Sequence, residues 1–225
     1  KGAGGVAGSS VSQDATVASQ NGVTINGGTD ITAGNVNILG NSTSATGVSL
    51  SDTVISTDKG TIDIRGVSQG GTVAPAMGQP IGVDIGSGVV LNAGQGFVKI
   101  LGRGVREAVA NAASLPSTHG VRANDLTITT SGDNAGQQIV LIGQSGGSTG
   151  AGIQVDSGAP GIRVSDQASP SIASSADVVI GASADAMAPQ ALNLGTFAPN
   201  TTGRRNFRPA GVDGDGNVTE SPATA

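Results

Sequence analysis

The residues of this chain that could do chemistry are few. It has one histidine, His119, no cysteine, and 16 acidic against 11 basic residues in 225 positions. A zinc centre takes several nitrogen, thiolate or carboxylate ligands, and this lone imidazole has no second histidine or cysteine to share one with. A nucleophilic triad would need His119 beside both a serine and a carboxylate, and nothing in the spacing brings them together. His119 therefore reads as a solvated loop residue. Glycoside chemistry needs two converging carboxylates, with a basic group and aromatic platforms for the sugar. The candidates Asp63 and Asp84 fall on different faces of the repeat described below, each beside a basic residue. The aromatic supply is Phe97, Phe197 and Phe207.

The remaining motifs are incomplete. Asp213-Gly214-Asp215-Gly216-Asn217 opens like an EF-hand loop, but Val218 stands where that loop needs glycine and Thr224 where it closes on glutamate. Gly94-Gln95-Gly96 is followed by no helix, so a nucleotide cradle has no context. Asn41-Ser42-Thr43, Asn200-Thr201-Thr202 and Asn217-Val218-Thr219 match the N-glycosylation sequon, which carries little weight in a bacterial product. No catalytic, cofactor or metal residue is expected, and the chain is not expected to be an enzyme.

What positions these residues is one repeated phrase. It begins Gly22-Val23-Thr24-Ile25, Gly47-Val48-Ser49-Leu50, Gly82-Val83-Asp84-Ile85, Gly120-Val121-Arg122-Ala123 and Gly152-Ile153-Gln154-Val155. A second apolar segment follows each start, at Ile31, Val54-Ile55, Val89-Leu91, Leu126-Ile128 and Ile162-Val164. A third follows a glycine-rich turn: Val36-Ile38, Ile62-Ile64, Val98-Ile100, Ile139-Leu141 and Val178-Ile180. Alternation with period two puts one face in and the other out. Three such strands per copy predict an all-β, three-sided parallel β-solenoid. The five starts are 25, 35, 38 and 32 residues apart, and the variation falls mainly after the third strand. Insertions are therefore expected at one corner, around Val67–Ile81 and Arg103–His119, with extra residues in copy five at Ser165–Ala176. An antiparallel sandwich would instead need hairpins between strands and would not repeat at whole-copy spacing.

Stacking like on like predicts inward ladders Val23, Val48, Val83, Val121, Ile153 and Ile25, Leu50, Ile85, Ala123, Val155. It also predicts two exposed charge pairs between neighbouring coils, Asp84 with Arg122 and Asp63 with Lys99. Arg106–Leu115 is helix-like and ends at Pro116. Residues 1–21 read as an irregular or partial first coil, 22–195 as solenoid, and 196–225 as a terminal coil, cap or flexible tail.

Composition agrees with a narrow, regular core. Aromatic residues are 1% and charged residues 12%, with 38 glycines. A globular core of this size normally uses large aromatics to fill space. The net charge of -5 argues against nucleic acid, which selects a basic stripe. No apolar run approaches a membrane helix, so no stable membrane insertion is expected. The opening Lys1-Gly2-Ala3-Gly4-Gly5 carries no signal peptide and reads as a cut edge.

Segments such as Gly34-Asn35-Val36-Asn37-Ile38-Leu39-Gly40, and Asn206-Phe207-Arg208-Pro209-Ala210-Gly211-Val212, resemble the filamentous haemagglutinin-like exoproteins of Gram-negative bacteria, secreted by the two-partner route. The likeness runs over residues 20–212. It implies a right-handed parallel β-helix, export through an outer-membrane pore partner, a secreted or cell-surface location, and roles in adhesion or contact-dependent inhibition. It supplies no catalytic residues. The expected function is a structural and adhesive shaft segment that presents binding surfaces to a receptor or glycan on a host or neighbouring cell. The insertion corners, with Arg103, Arg106, Glu107 and His119, are the expected partner-binding positions. An autotransporter passenger, a polysaccharide-acting enzyme and a tailspike-like fibre are the alternatives.

Overall fold

In a computed structural model, the described residues are 9–15, 21–43, 45–69, 81–104, 119–131, 138–145, 151–166, 177–183, 192–194, 197–199, 205–209, 211–212 and 218–219. Among them every regular element is a β-strand. The chain enters with β1 (Ser9–Ala15) and then repeats a three-strand coil. The first coil is β2 (Val23–Ile25), β3 (Thr29–Thr32) and β4 (Val36–Ser42). The second is β5 (Val48–Leu50), β6 (Thr53–Ser56) and β7 (Thr61–Ser68), and the third is β8 (Ile81–Ile85), β9 (Val89–Gly94) and β10 (Phe97–Gly104). The fourth is β11 (His119–Ala123), β12 (Asp125–Thr130) and β13 (Gln138–Gln144). The fifth is β14 (Ile153–Val155), β15 (Gly161–Asp166) and β16 (Asp177–Ser183). The sixth is β17 (Leu192–Leu194), β18 (Phe197–Pro199) and β19 (Arg205–Pro209). A short antiparallel ribbon of β20 (Gly211–Val212) and β21 (Val218–Thr219) follows.

Equivalent strands stack in parallel into three sheets. The first strands of each coil form sheet 1, the second strands sheet 2, and the third strands, with β1 at the edge, sheet 3. The molecule is thus a three-sided parallel β-helix. Sheet 3, with seven strands, spans about 29 Å along the axis at the usual inter-strand spacing.

Register follows the sequence repeat. Val48 pairs with Val23 and Val83, and Val121 pairs with Val83 and Ile153. Ile64 pairs with Ile38 and Ile100, and Leu141 with Ile100 and Ile180. These ladders are buried and merge into one continuous apolar core. β-Branched and γ-branched side chains of similar volume fill the interior without aromatics because each layer meets a copy of itself. In the sixth coil Phe197 takes the register position of Ile162, and Phe207 that of Ile180.

Where sheet 3 meets sheet 1 the two backbones touch. Gly66 pairs with Gly40 and Gly102, and Gly102 with Gly143. Each faces the glycine that starts the next coil. A Cβ on Gly40 would lie 2.1 Å from the Gly47 carbonyl oxygen, and one on Gly66 1.9 Å from that of Gly82. The same atom on Gly102 would lie 2.0 Å from the Gly120 oxygen, and on Gly143 1.8 Å from that of Gly152. A Cβ on Gly47, Gly82 or Gly120 would lie 2.4, 2.3 or 2.3 Å from the amide nitrogen of Val67, Arg103 or Gln144. This backbone approach excludes any side chain. Third strands run on past this contact, so Val67, Ser68, Arg103 and Gly104 belong to strands rather than to insertions. The insertions narrow to 70–80 and 105–118, which lie outside the described residues, as do the helix-like 106–115 and the extra residues 167–176 of copy five.

The outer face of sheet 3 is not uniformly polar. Leu101 and Ile142, one position beyond the core residues Ile100 and Leu141, are buried in a second small cluster with Val140 against it. β20 lies against β10, β13 and β16.

Two substitutions test the cross-section. Gly66→Ala places a methyl group against a backbone oxygen that cannot move aside, and is expected to cost roughly 2–4 kcal/mol in urea unfolding. Val83→Asp puts a carboxylate into a fully buried ladder and is expected to abolish the cooperative transition. Wild-type stability in both variants would overturn the inward assignment of these ladders.

Candidate functional site

The charged side chains are arranged as cross-coil braces. Arg122 in β11 holds Asp84 in β8 through two parallel bonds, Nε to Oδ1 at 2.9 Å and Nη2 to Oδ2 at 2.7 Å. Their register positions are adjacent, as expected from the repeat. The pair is not solvent-exposed, however: the two side chains are 29% and 18% accessible. Asp84 and Gln154 are the register neighbours of Arg122 on either side. Asp156 of the next coil approaches the same guanidinium at 4.0 Å and accepts a 2.8 Å bond from Asn124 Nδ2. Asn124 Oδ1 accepts from the Asp156 amide in return, at 3.0 Å.

A second brace, not among the expected pairs, joins the second strands. Arg163 in β15 donates to Asp125 Oδ1 at 2.5 Å and to Thr127 Oγ1 at 2.9 Å in β12. Gly88, one coil earlier, donates its amide to Asp125 Oδ2 at 3.0 Å. Partial burial alone would raise the Asp125 pKa, but the Gly88 amide and Arg163 outweigh it and hold the carboxyl below its ordinary value. The signal was present: Thr127 and Arg163 are register partners, and Asp125 sits two residues before Thr127 on the same face.

The expected Asp63–Lys99 pair is corrected. The two residues are register neighbours, but Asp63 takes its bidentate partner from its own strand. Arg65 Nε and Nη2 lie 2.9 and 2.8 Å from the two Asp63 oxygens. Residues two apart in a strand share a face, and a planar fork matches a carboxylate better than an ammonium does. Lys99 remains exposed on the outer face of β10. Phe97, 38% exposed, stands two residues before it.

His119 is also corrected. It is the first residue of β11, 8% exposed, in register with Ile81. Its Nδ1 accepts a 3.0 Å hydrogen bond from the Ala151 amide of the next coil. Position two before the first inward valine faces inward by parity, so a residue there is enclosed whatever its polarity. Desolvation, then the nearby Arg122 charge, lowers its pKa below the ordinary 6.5, against smaller opposing effects from the Ala151 bond, Asp156 and Asp84. An imidazole that accepts from an amide is neutral at that nitrogen, so it serves here as a backbone acceptor.

Of the four expected partner-binding residues, the structure places two. Arg103 lies in β10, half-buried, with its Nε buried and without a hydrogen-bond partner. It stands four residues beyond Lys99 on the same face, so β10 presents Phe97, Lys99 and Arg103 outward along one strand. Arg106 and Glu107 lie outside the described residues, as do the EF-hand-like Asp213–Asn217 loop and Asn200. Asn41 of the first sequon is in β4, half-buried, with fully buried Ser42 after it.

No protein-family model, curated protein or solved structure matches this chain.

Two measurements check this arrangement. The single histidine gives one imidazole signal in an NMR titration, and its midpoint is expected below 6.5. The unfolded chain then binds more protons than the folded one near that pH, so stability rises with pH there. The His119 contribution is complete above the unfolded pKa and is lost as pH falls from it toward the folded value; a midpoint at or above 6.5 contradicts the burial. Arg122→Ala leaves Asp84 half-buried and unpaired, and is expected to cost about 1–3 kcal/mol, more than an exposed pair contributes. A loss within a few tenths of a kcal/mol would show that the brace carries no stability.

Proposed function

We propose that this chain is a shaft segment of a large secreted bacterial surface exoprotein of the filamentous haemagglutinin-like kind, which holds adhesive surfaces away from the cell. One observation carries the reading. Six consecutive coils stack in one strand order, and the carboxylates Asp63, Asp84 and Asp125 are each engaged by an arginine on the same or an adjacent coil. Charge spent in this way stiffens a rod and leaves those carboxylates poorly placed for acid–base work. The autotransporter passenger remains the neighbouring reading, since both need the same shaft.

The adhesive contact lies at the exposed Phe97–Lys99 end of the outer face of β10, before the buried Leu101. Phe97 offers an exposed ring to a sugar face. Lys99 and Arg103, on a chain of net charge -5, are cations without an ion pair among the described residues. An anionic glycan, carrying uronate or sulfate, fits that combination by charge.

Binding to an array of neutral, uronate-bearing and sulfated glycans, measured together with reducing-sugar release, tests this. Binding to anionic glycans without release is expected, and the Phe97→Ser/Lys99→Glu variant is expected to lose about tenfold in affinity, some 1.4 kcal/mol. Release of reducing sugar would favour the polysaccharide-acting alternative.

A further inference from the structure

The chain contains two Asn-Gly steps, Asn21-Gly22 and Asn26-Gly27, and the fold treats them in opposite ways. Asn-Gly is the sequence in which the following amide nitrogen reaches the side-chain carboxamide with least steric hindrance, because glycine has no Cβ. At Asn21 every participant is occupied. The Gly22 amide donates to the Thr46 carbonyl at 3.0 Å. Asn21 Oδ1 accepts from the Thr46 amide at 3.2 Å, and Nδ2 donates to Thr24 Oγ1 at 3.2 Å. Gly22 itself belongs to the glycine contact between sheets, with Asn41 N 2.5 Å from where its Cβ would be.

At Asn26 none of this holds. Asn26, Gly27 and Gly28 are all exposed at the corner between β2 and β3. Gly27 and Gly28 both have left-handed φ, +72° and +74°, and a Cβ on Gly27 would meet nothing within 4 Å. The corner is tied down from Gly28 onward, where Gly28 and Thr29 donate to the Asp52 carbonyl, at 2.8 and 3.2 Å. Among the described residues, Asn26 is tied through its backbone oxygen, which accepts from Thr29 Oγ1 at 2.7 Å.

We propose that Asn26 is a site of spontaneous covalent modification in the folded protein, a deamidation that Asn21 is protected from. The deprotonated Gly27 nitrogen attacks Asn26 Cγ and a C–N bond forms. The Cγ–Nδ2 bond breaks and ammonia leaves, closing a succinimide between residues 26 and 27. Water then opens the ring at either carbonyl, giving aspartate or isoaspartate at position 26. No oxidant or reductant is consumed. The isoaspartate product lengthens the backbone by one methylene at the turn that sets the register of β3 on β6. Either product adds a negative charge close to Asp52, whose Oδ2 is the nearest atom to a Cβ built on Gly28, at 3.8 Å.

The test is peptide mapping by mass spectrometry of the whole chain, incubated in mildly alkaline buffer, with electron-transfer fragmentation to distinguish aspartate from isoaspartate. In the folded protein Asn26 is expected to convert at least about tenfold faster than Asn21, which must first open locally and release the Gly22 amide. In urea, where the fold is lost, the two rates are expected to converge. Asn26→Gln, whose longer side chain would close a less favourable six-membered ring, is expected to remove the signal at position 26 without changing the urea unfolding curve. Equal rates at Asn21 and Asn26 in the folded protein would overturn the proposal. So would an Asn26 that stays intact in the fold while converting in urea.

Discussion

Backbone touches backbone where the third strand of each coil passes the start of the next, and this contact sets the cross-section of the whole rod. Gly40, Gly66, Gly102 and Gly143 face Gly47, Gly82, Gly120 and Gly152 at distances that admit no Cβ. Sheets 1 and 3 can therefore converge to a sharp edge, and the interior between the three sheets narrows to a space that branched aliphatics fill. The near absence of aromatics and the abundance of glycine are thus two consequences of one geometric constraint.

From that edge the other features follow. The third strands continue beyond the glycine contact, and this overlap carries Ser42 and Ser68 into buried positions where hydroxyls bond backbone: Ser68 Oγ donates to the Ala45 carbonyl at 2.6 Å. His119 lies on the opposing strand, one residue before its glycine, and bonds the Ala151 amide in the same manner. Insertions leave where strand pairing has already ended, so their length does not disturb the stack. Each coil adds the same hydrogen-bonded layer, and stability accumulates by nearest-neighbour contact rather than around one centre.

Polar groups on the solenoid act chiefly as fasteners. Arg122 with Asp84, Arg163 with Asp125, and the ladder Asn124 with Asp156 each join one coil to the next. Ser56, Asn92 and Thr129 form a further ladder through three consecutive coils. The Arg122–Asp84 and Ser56–Asn92–Thr129 bonds are partly shielded, so they are stronger than those of free surface pairs, and removing one member leaves its partner unsatisfied, whereas Arg163 and Asp156 are exposed. Among the described residues, Lys59, Lys99 and Arg103 escape this role, and the last two share one strand with the exposed Phe97.

The three-sided parallel architecture and the inward ladders at Val83, Ile85, Val98 and Ile100 were legible in the sequence. A solenoid writes its long-range contacts as local repetition, so aligning the copies reveals which residues stack. The Asp84–Arg122 pair came from the same source. Partner choice and burial at the edges of the repeat did not. Asp63 prefers Arg65 on its own strand to Lys99 on the next, because side-chain shape and reach decide between two cations that the alignment treats alike. His119 looked like a loop residue because the insertion before it hides that β11 has already begun. The two Asn-Gly steps are identical as text, and only the packed edge at Gly22 and the open corner at Gly27 separate them. The sequence by itself determined the period and the inside of this protein, since both depend on repetition along the chain. The tertiary structure alone decided which polar groups are enclosed, paired or left open, since that depends on neighbours the repeat does not name.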